Sequence, residues 1–293
     1  MSSDKQHVWQ SDELEALASR GISLQARMDI RNRVRIAEDA SQRGYVVKSM
    51  PNDPNERDAL RKMLDLPSPR NHTVPCELIR CNSTALALMP ALRVLVGTHR
   101  PYGSIDILLD FIEQMVEALD FMHEHKLVFG DFAALNLVQA TDNIPSDFPS
   151  FNIIRGRYYL IDFGSSRSFP KGPGEGLLID DWSAYPGHFD PPEGTEMVDP
   201  YAYDVYSLGE TVYDGFRYVA DTITFHPPMS LLHMLDMLRS PDPSLRPTMR
   251  QAVRIAGALR SWILATTWLY RYLPLGVAKR LDYCGWRLIL CFV

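Results

Sequence analysis

From residue 104 onward, apolar side chains recur at three-and-four spacing: Ile105, Leu108, Leu109, Ile112, Met115, Val116, Leu119 and Met122 follow Ser104. That period predicts an amphipathic helix behind a serine N-cap, the strongest such pattern in the chain. Residues 203–213, 229–238 and 249–259 read as further helices. Upstream the period changes. Residues 33–38 and 45–50 predict two short strands around a polar turn at 39–44, and residues 74–79 and 84–89 predict two more. Between these pairs, Asp53-Pro54-Asn55-Glu56 sets an acid at the N-cap, Pro at the first helical position and Glu three residues after the cap. A helix to about Leu66 follows from it, with Leu60, Met63 and Leu64 on one face. Residues 10–35 are charged and helix-prone, with no clear strand. The order is a small strand-rich part to about Met89, then a larger helical part: an α+β chain of two lobes.

Two stretches break the periodicity. Residues 139–152 contain Pro145 and Pro149 among Ser, Asp and Asn, which predicts an exposed insertion between short strands. Residues 169–187 are too rich in Pro and Gly for regular structure. Residues 261–278 are rich in Trp, Leu, Ile and Tyr, but Arg271 and Pro274 interrupt them. A bilayer span takes roughly 20 mostly apolar residues. The expectation is a helix packed on the domain or lying at an interface, with membrane contact through this tail the lesser reading.

Composition narrows the partners. With 293 residues and a net charge of −6, the chain has ample material for a core and no Lys/Arg block, which argues against nucleic acid. Cys76, Cys81, Cys284 and Cys291 lack C-x-x-C spacing and read as reduced intracellular thiols without a structural metal. The polar start has no apolar h-region, so the expected location is intracellular, in the cytoplasm.

The candidate chemistry lies in residues 127–164. Asp131 and Asn136 stand five positions apart, and the apolar run Tyr158-Tyr159-Leu160-Ile161 ends in Asp162-Phe163-Gly164. Phosphoryl transfer needs one carboxylate to orient the nucleophile's hydroxyl, and a second acid with an amide oxygen to hold Mg²⁺ on nucleotide phosphates. Farther on come Pro191-Pro192-Glu193, Asp204-Val205-Tyr206-Ser207-Leu208-Gly209 and Arg246-Pro247-Thr248.

On these ordered motifs the chain resembles the eukaryotic protein kinase family over roughly residues 33–259. The resemblance implies an N-lobe at 33–89 and a C-lobe at 92–260 within one domain of 33–260, an N-terminal extension at 1–32 and an apolar tail at 261–293. It implies Asp131 as the catalytic Asp, Asn136 and Asp162 as the Mg²⁺ ligands, and Phe163 and Gly164 completing the D-F-G motif. Lys48 and Glu56 fall where the family has its phosphate-positioning Lys and the helical Glu that pairs with it. Residues 89–92 correspond to the hinge, putting Pro90 and Leu92 beside adenine; Pro90 retains its carbonyl acceptor. Glu193 and Arg246 are expected to form an ion pair, and Asp204 to brace the catalytic loop. ATP and Mg²⁺ are the implied cofactors, and a protein substrate or regulatory protein the implied partner.

Three departures alter the functional expectation. No G-x-G-x-x-G precedes Lys48; Gly21 and Gly44 are the nearest glycines, and neither lies in a glycine-rich hairpin. The family's H-R-D is Phe129-Gly130-Asp131, without the Arg that reads a phosphorylated activation loop. The cation that follows the catalytic Asp in Ser/Thr or tyrosine kinases is replaced by Ala133 and Leu135, which leaves Lys126 or Arg167 as substitutes. The expectation is a slow protein kinase acting on Ser/Thr. A pseudokinase scaffold is the alternative, and a small-molecule phosphotransferase of the aminoglycoside or choline kinase type, which shares the Gly-Asp pair, is the third reading.

Overall fold

The structure, a computed structural model, describes residues 6–51, 54–95, 101–142, 148, 151–184, 187–218, 227–270 and 272–292. It has a strand-rich unit, formed by residues 1–68, 73–93 and 138–164, and a larger helical unit, formed by residues 69–72, 94–137 and 165–293. This is a bilobal α+β architecture of the generic kinase-like kind.

The strand-rich unit is built on β1 (Ser23–Arg27), β2 (Val34–Glu38), β3 (Gly44–Pro51), β4 (Glu77–Arg80) and β5 (Thr84–Pro90), an antiparallel sheet in the order β1-β2-β3-β5-β4. Strand β3 sits at its centre, and pleating sends Tyr45, Val47 and Ser49 to one face and Val46, Lys48 and Met50 to the other. Tyr45 and Val47 join Leu17, Ala37, Leu86 and Leu88 in a core. Over that face lies α1 (Ser11–Ala18), fastened by the fully buried Glu13. Its carboxylate accepts from Gln10 N, Ser49 Oγ and Thr84 Oγ1, at 2.8, 2.7 and 2.7 Å. Burial works to raise its pKa, but those hydrogen bonds and His7 hold it below the ordinary carboxylate value. Helix α2 (Pro54–Leu64) carries Glu56 in its first turn. The strand β6 (Arg93–Val94) follows, and β8 (Leu137–Gln139) and β9 (Tyr158–Leu160) return later in the chain.

Two expectations change here. Residues 10–35 are not helical throughout: α1 is short, and β1 then pairs antiparallel with β2 through Ser23–Glu38 and Leu24–Ala37. The insertion at 139–152 is not simply exposed either. Phe148 is buried, and it meets Tyr45 edge-on at a centroid distance of 5.3 Å, with Phe151 packed beside them. Pro145 and Pro149 lie outside the described residues, as does the expected N-cap Asp53.

The helical unit contains α3 (Ile105–Glu124), β7 (Leu127–Val128), β10 (Arg167–Ser168), α4 (Pro200–Tyr218), α5 (Met229–Leu238), α6 (Met249–Tyr270) and α7 (Leu275–Phe292). Ser104 accepts from Ile107 N at 3.3 Å, so the serine cap closes α3. Leu108, Ile112, Met115, Leu119 and Met122 are buried along that helix's core face. Helix α6 does not stop near Leu259 but continues to Tyr270, and α7 packs back on α5 and α6. No helix among the described residues is long and apolar enough to cross a membrane.

Candidate functional site

In the strand-rich unit, the alternation of β3 puts Lys48 on the face opposite the Tyr45–Val47 core. Its Nζ donates to Glu56 Oε1 at 2.5 Å and to Asp162 Oδ1 at 2.7 Å. Two carboxylates, from α2 and from the segment after β9, thus share one ammonium. Asp162 comes just after β9 in a left-handed conformation, φ 61°, which Asp tolerates better than most side chains. Gly164 N donates back to its Oδ1 at 3.1 Å, closing a local Asx turn. Phe163, between them, is buried.

The charges support one another. Burial on its own would lower the Lys48 pKa, but Asp162 and then Glu56 outweigh it and raise the value above the ordinary one. Burial would likewise raise Asp162, yet Lys48 and the Gly164 N–H hold it below the usual carboxylate value. Asp162 keeps half its side-chain surface, 50%, whereas Lys48 keeps 16%. An ionised carboxylate that remains accessible beside a fixed ammonium suits a ligand carrying both a metal cation and phosphate oxygens.

The same unit contains the turn between β1 and β2, where the resemblance calls for glycines. It is built without them. Val34 N donates to Asp29 Oδ1 at 2.8 Å, Met28 N to Val34 O at 2.8 Å, and Asn32 supplies the left-handed residue, φ 55°. The N-terminal segment ties this turn down: Trp9 Nε1 donates to Asn32 O at 3.0 Å, and Asn32 Nδ2 to His7 O at 2.9 Å. Pro90 ends β5 opposite Tyr45 and is buried, and Leu92 lies half-buried just beyond.

In the helical unit, the backbone of residues 129–132 is held by side chains from other elements. The fully buried Asp204 of α4 accepts from Phe129 N at 2.9 Å and Gly130 N at 2.8 Å, and its Oδ2 lies 2.9 Å from His123 Nε2. Ser166 Oγ donates to Phe129 O at 2.9 Å, and Thr211 Oγ1 to Phe132 O at 3.0 Å. Phe129 and Phe132 are fully buried and anchor the loop on either side of Asp131. Gly130 adopts φ 80°, and a Cβ there would lie 2.5 Å from Ser165 O. The missing Arg of the H-R-D therefore has a local cause: this backbone has no room for any side chain at 130.

Asn136 stands in the 3-10 turn Ala134–Asn136 and uses Nδ2 twice, on Asp131 O and Asp131 Oδ2, each at 2.8 Å. That fixes the carboxylate's rotation and leaves the amide oxygen as the donor for a cation. That amide oxygen is a hard ligand, of the kind that suits Mg²⁺ rather than a thiophilic metal. No group of three or more His, Cys, Asp and Glu arranged to hold a metal occurs among the described residues.

The remaining motif residues are structural. Arg246, with no exposed side-chain surface, forms a two-armed pair with Glu193 at 3.0 and 2.6 Å. It also donates to Ser240 O and Ala202 O, and its guanidinium lies 5.0 Å from the Tyr206 ring centroid. The two substitute cations are engaged elsewhere: Lys126 Nζ with Pro170 O at 2.8 Å, and Arg167 with Asp181 at 2.8 Å. Sequence reasoning missed His123, Ser166 and Thr211, because a His or hydroxyl inside a helical or loop pattern gives no sign of its distant acceptor. No family model matches the sequence, and no curated protein matches it either.

Proposed function

We propose that this chain is a kinase-like phosphotransferase that uses ATP and Mg²⁺ to modify protein hydroxyl groups, on Ser or Thr, at a low rate. The observation that carries the reading is the Lys48 ammonium shared between Glu56 and Asp162. A half-buried lysine with two carboxylate partners is costly to assemble and has a ready use in positioning phosphate oxygens. When bound, ATP supplies the phosphoryl group and Mg²⁺ offsets its negative charge. The protein's share is positional: Lys48 orients phosphate oxygens, Glu56 keeps Lys48 extended, and Asp162 and Asn136 offer metal ligands. Asp131 accepts a hydrogen bond from the substrate hydroxyl and takes its proton, with Asn136 Nδ2 setting the carboxylate's angle. Pro90 and Leu92 are assigned to the adenine.

The low rate follows from Ala133 and Leu135, since a cation at the transferring phosphoryl group is worth about 10³-fold or more in related chemistry. The same absence, with the glycine-free turn fastened by Trp9 and His7, favours a second reading as a pseudokinase: a binding module that keeps the fold without turnover. Thermal-shift titration with ATP and Mg²⁺, followed by transfer of labelled phosphate to generic protein substrates, separates the two. The proposal expects a nucleotide-dependent shift that Lys48→Met removes. It expects transfer that Asp131→Asn abolishes while the shift persists. A shift without transfer makes the chain a pseudokinase, and label reaching only small hydroxyl compounds makes it a small-molecule phosphotransferase. No shift at millimolar nucleotide leaves a scaffold alone.

A further inference from the structure

The last helix carries a charge pattern unlike the rest of the chain. Residues 261–293 hold Arg271, Lys279, Arg280 and Arg287 against the single carboxylate Asp282, in a protein whose net charge is −6. Asp282 does not offset these cations at the surface. It is buried, where it accepts from Ser230 N at 2.9 Å, Ser230 Oγ at 2.6 Å and Trp262 Nε1 at 3.2 Å. Those bonds fix the rotation of α7 about its axis. Ala278, Asp282, Gly285, Trp286 and Ile289 face inward, and Lys279, Arg280 and Arg287 face outward, all exposed.

The outward face is not merely polar. Val277, Cys284, Leu288 and Cys291 recur at i, i+7, i+11 and i+14, one stripe of an α-helix, and all four are exposed. Arg280 and Arg287, seven apart, form the adjoining stripe, with exposed Tyr283 and Leu290 beyond them. At the turn leading into α7, Tyr272 is 80% exposed. A protein partner that buried this face would have to desolvate two guanidiniums. A lipid headgroup layer would not, because long cationic side chains lie along apolar surface while their heads reach phosphates.

From this placement we propose that α7 is a peripheral docking surface for an anionic lipid bilayer: Arg280 and Arg287 sit at headgroup level, and Val277 and Leu288, on the stripe beside them, enter the acyl boundary. The helix lies in the interface without crossing it. The proposal does not depend on phosphotransfer.

The test is co-sedimentation of the full chain with vesicles of phosphatidylcholine, alone or mixed with phosphatidylserine. Binding is expected only with the anionic lipid and should weaken as salt is added. Each cation near an anionic surface is worth about fivefold in partitioning, so Arg280→Gln with Arg287→Gln should reduce it about 25-fold. Leu288→Asn should weaken binding without changing its salt dependence. All three positions are exposed, and unchanged circular dichroism and melting verify the fold of each variant. Failure to bind phosphatidylserine vesicles at low salt overturns the proposal, as does binding indifferent to the double substitution. Self-association in sedimentation velocity that Leu288→Asn abolishes, with no vesicle binding, assigns the face to a second copy instead.

Discussion

The strand-rich and helical units each hold a candidate-site carboxylate, and they do so by different physics. Asp162 is held by charge: an ammonium at 2.7 Å keeps it ionised, on a side chain that remains half exposed. Asp131 is held by hydrogen-bond geometry: Asn136 fixes its rotation, and the loop beneath it hangs from the buried Asp204 through two backbone N–H groups and His123. Charge tolerates movement and responds to pH and salt, whereas oriented hydrogen bonds demand a fixed geometry. Perturbing the helical unit should therefore cost folding stability heavily, and perturbing the strand-rich unit should cost less, in a manner that depends on pH.

The largest effect is expected at Asp204. Asp204→Ala leaves two backbone donors and His123 without their acceptor in a dry interior, at about 1–3 kcal/mol each, so a loss of about 5 kcal/mol is expected by urea denaturation. A loss under about 1 kcal/mol would mean that the loop around Asp131 holds its own shape, and the contrast between the units would fail. Arg246→Ala comes next. It strands Glu193 and opens two backbone carbonyls, and breaking such a buried pair costs about 3–5 kcal/mol. Arg246→Lys should recover only part of this, because one ammonium cannot make both arms of the pair.

Gly130→Ala tests the loop more locally. The left-handed backbone costs a non-glycine residue about 1–2 kcal/mol, and the close approach of Ser165 O adds to it, so about 2–3 kcal/mol is expected from the same measurement. Transfer activity should fall further than stability does, since Asp131 is the next residue along. A variant as stable and active as the parent would show that the loop can shift by a few tenths of an ångström at no cost.

The two units also differed in how plainly the sequence announced them. In the helical unit the signals are local or fixed in order: the α3 period, its Ser104 cap, and short motifs that locate Asp131, Asn136, Asp204, Glu193 and Arg246. In the strand-rich unit they are neither. Strand β1 is Ser-Leu-Gln-Ala-Arg, an edge strand with mostly exposed side chains, so no apolar alternation marks it. Glu13 looks like any acid in a first helical turn, yet it is fully buried because Ser49 and Thr84, far along the chain, reach it. Phe148 and Phe151 lie in a stretch whose Pro, Ser and Asp suggest solvent, and only the fold supplies Tyr45 for them to pack on. Lys48 was legible as a candidate through its neighbours in sequence, but its double pairing depends on three segments meeting. Even in the helical unit, the conformation of Gly130 could not be read, because its reason is the backbone of Ser165.

The smallest expected effect is the one that separates charge from geometry. Lys48→Met removes the ammonium from two carboxylates, at a cost of about 1–2 kcal/mol near neutral pH, discounted because Asp162 is half exposed. Asp162 in the parent has a lowered folded-state pKa, so its contribution is present above the ordinary value of 3.8 and disappears only as pH falls through the lowered one. In the variant the lowering by Lys48 is gone and the burial that raises the value remains. Acid should then relieve the variant before it harms the parent, and the gap between them should narrow from pH 7 toward pH 4. At the other end, the raised Lys48 pKa means that the parent's advantage persists past 10.5 and is lost as pH rises through the folded value. Plotted against pH, the stability difference should be a plateau with two shoulders. A flat line would mean that Lys48 acts by packing its aliphatic stem, and that the ammonium contributes little to holding Asp162.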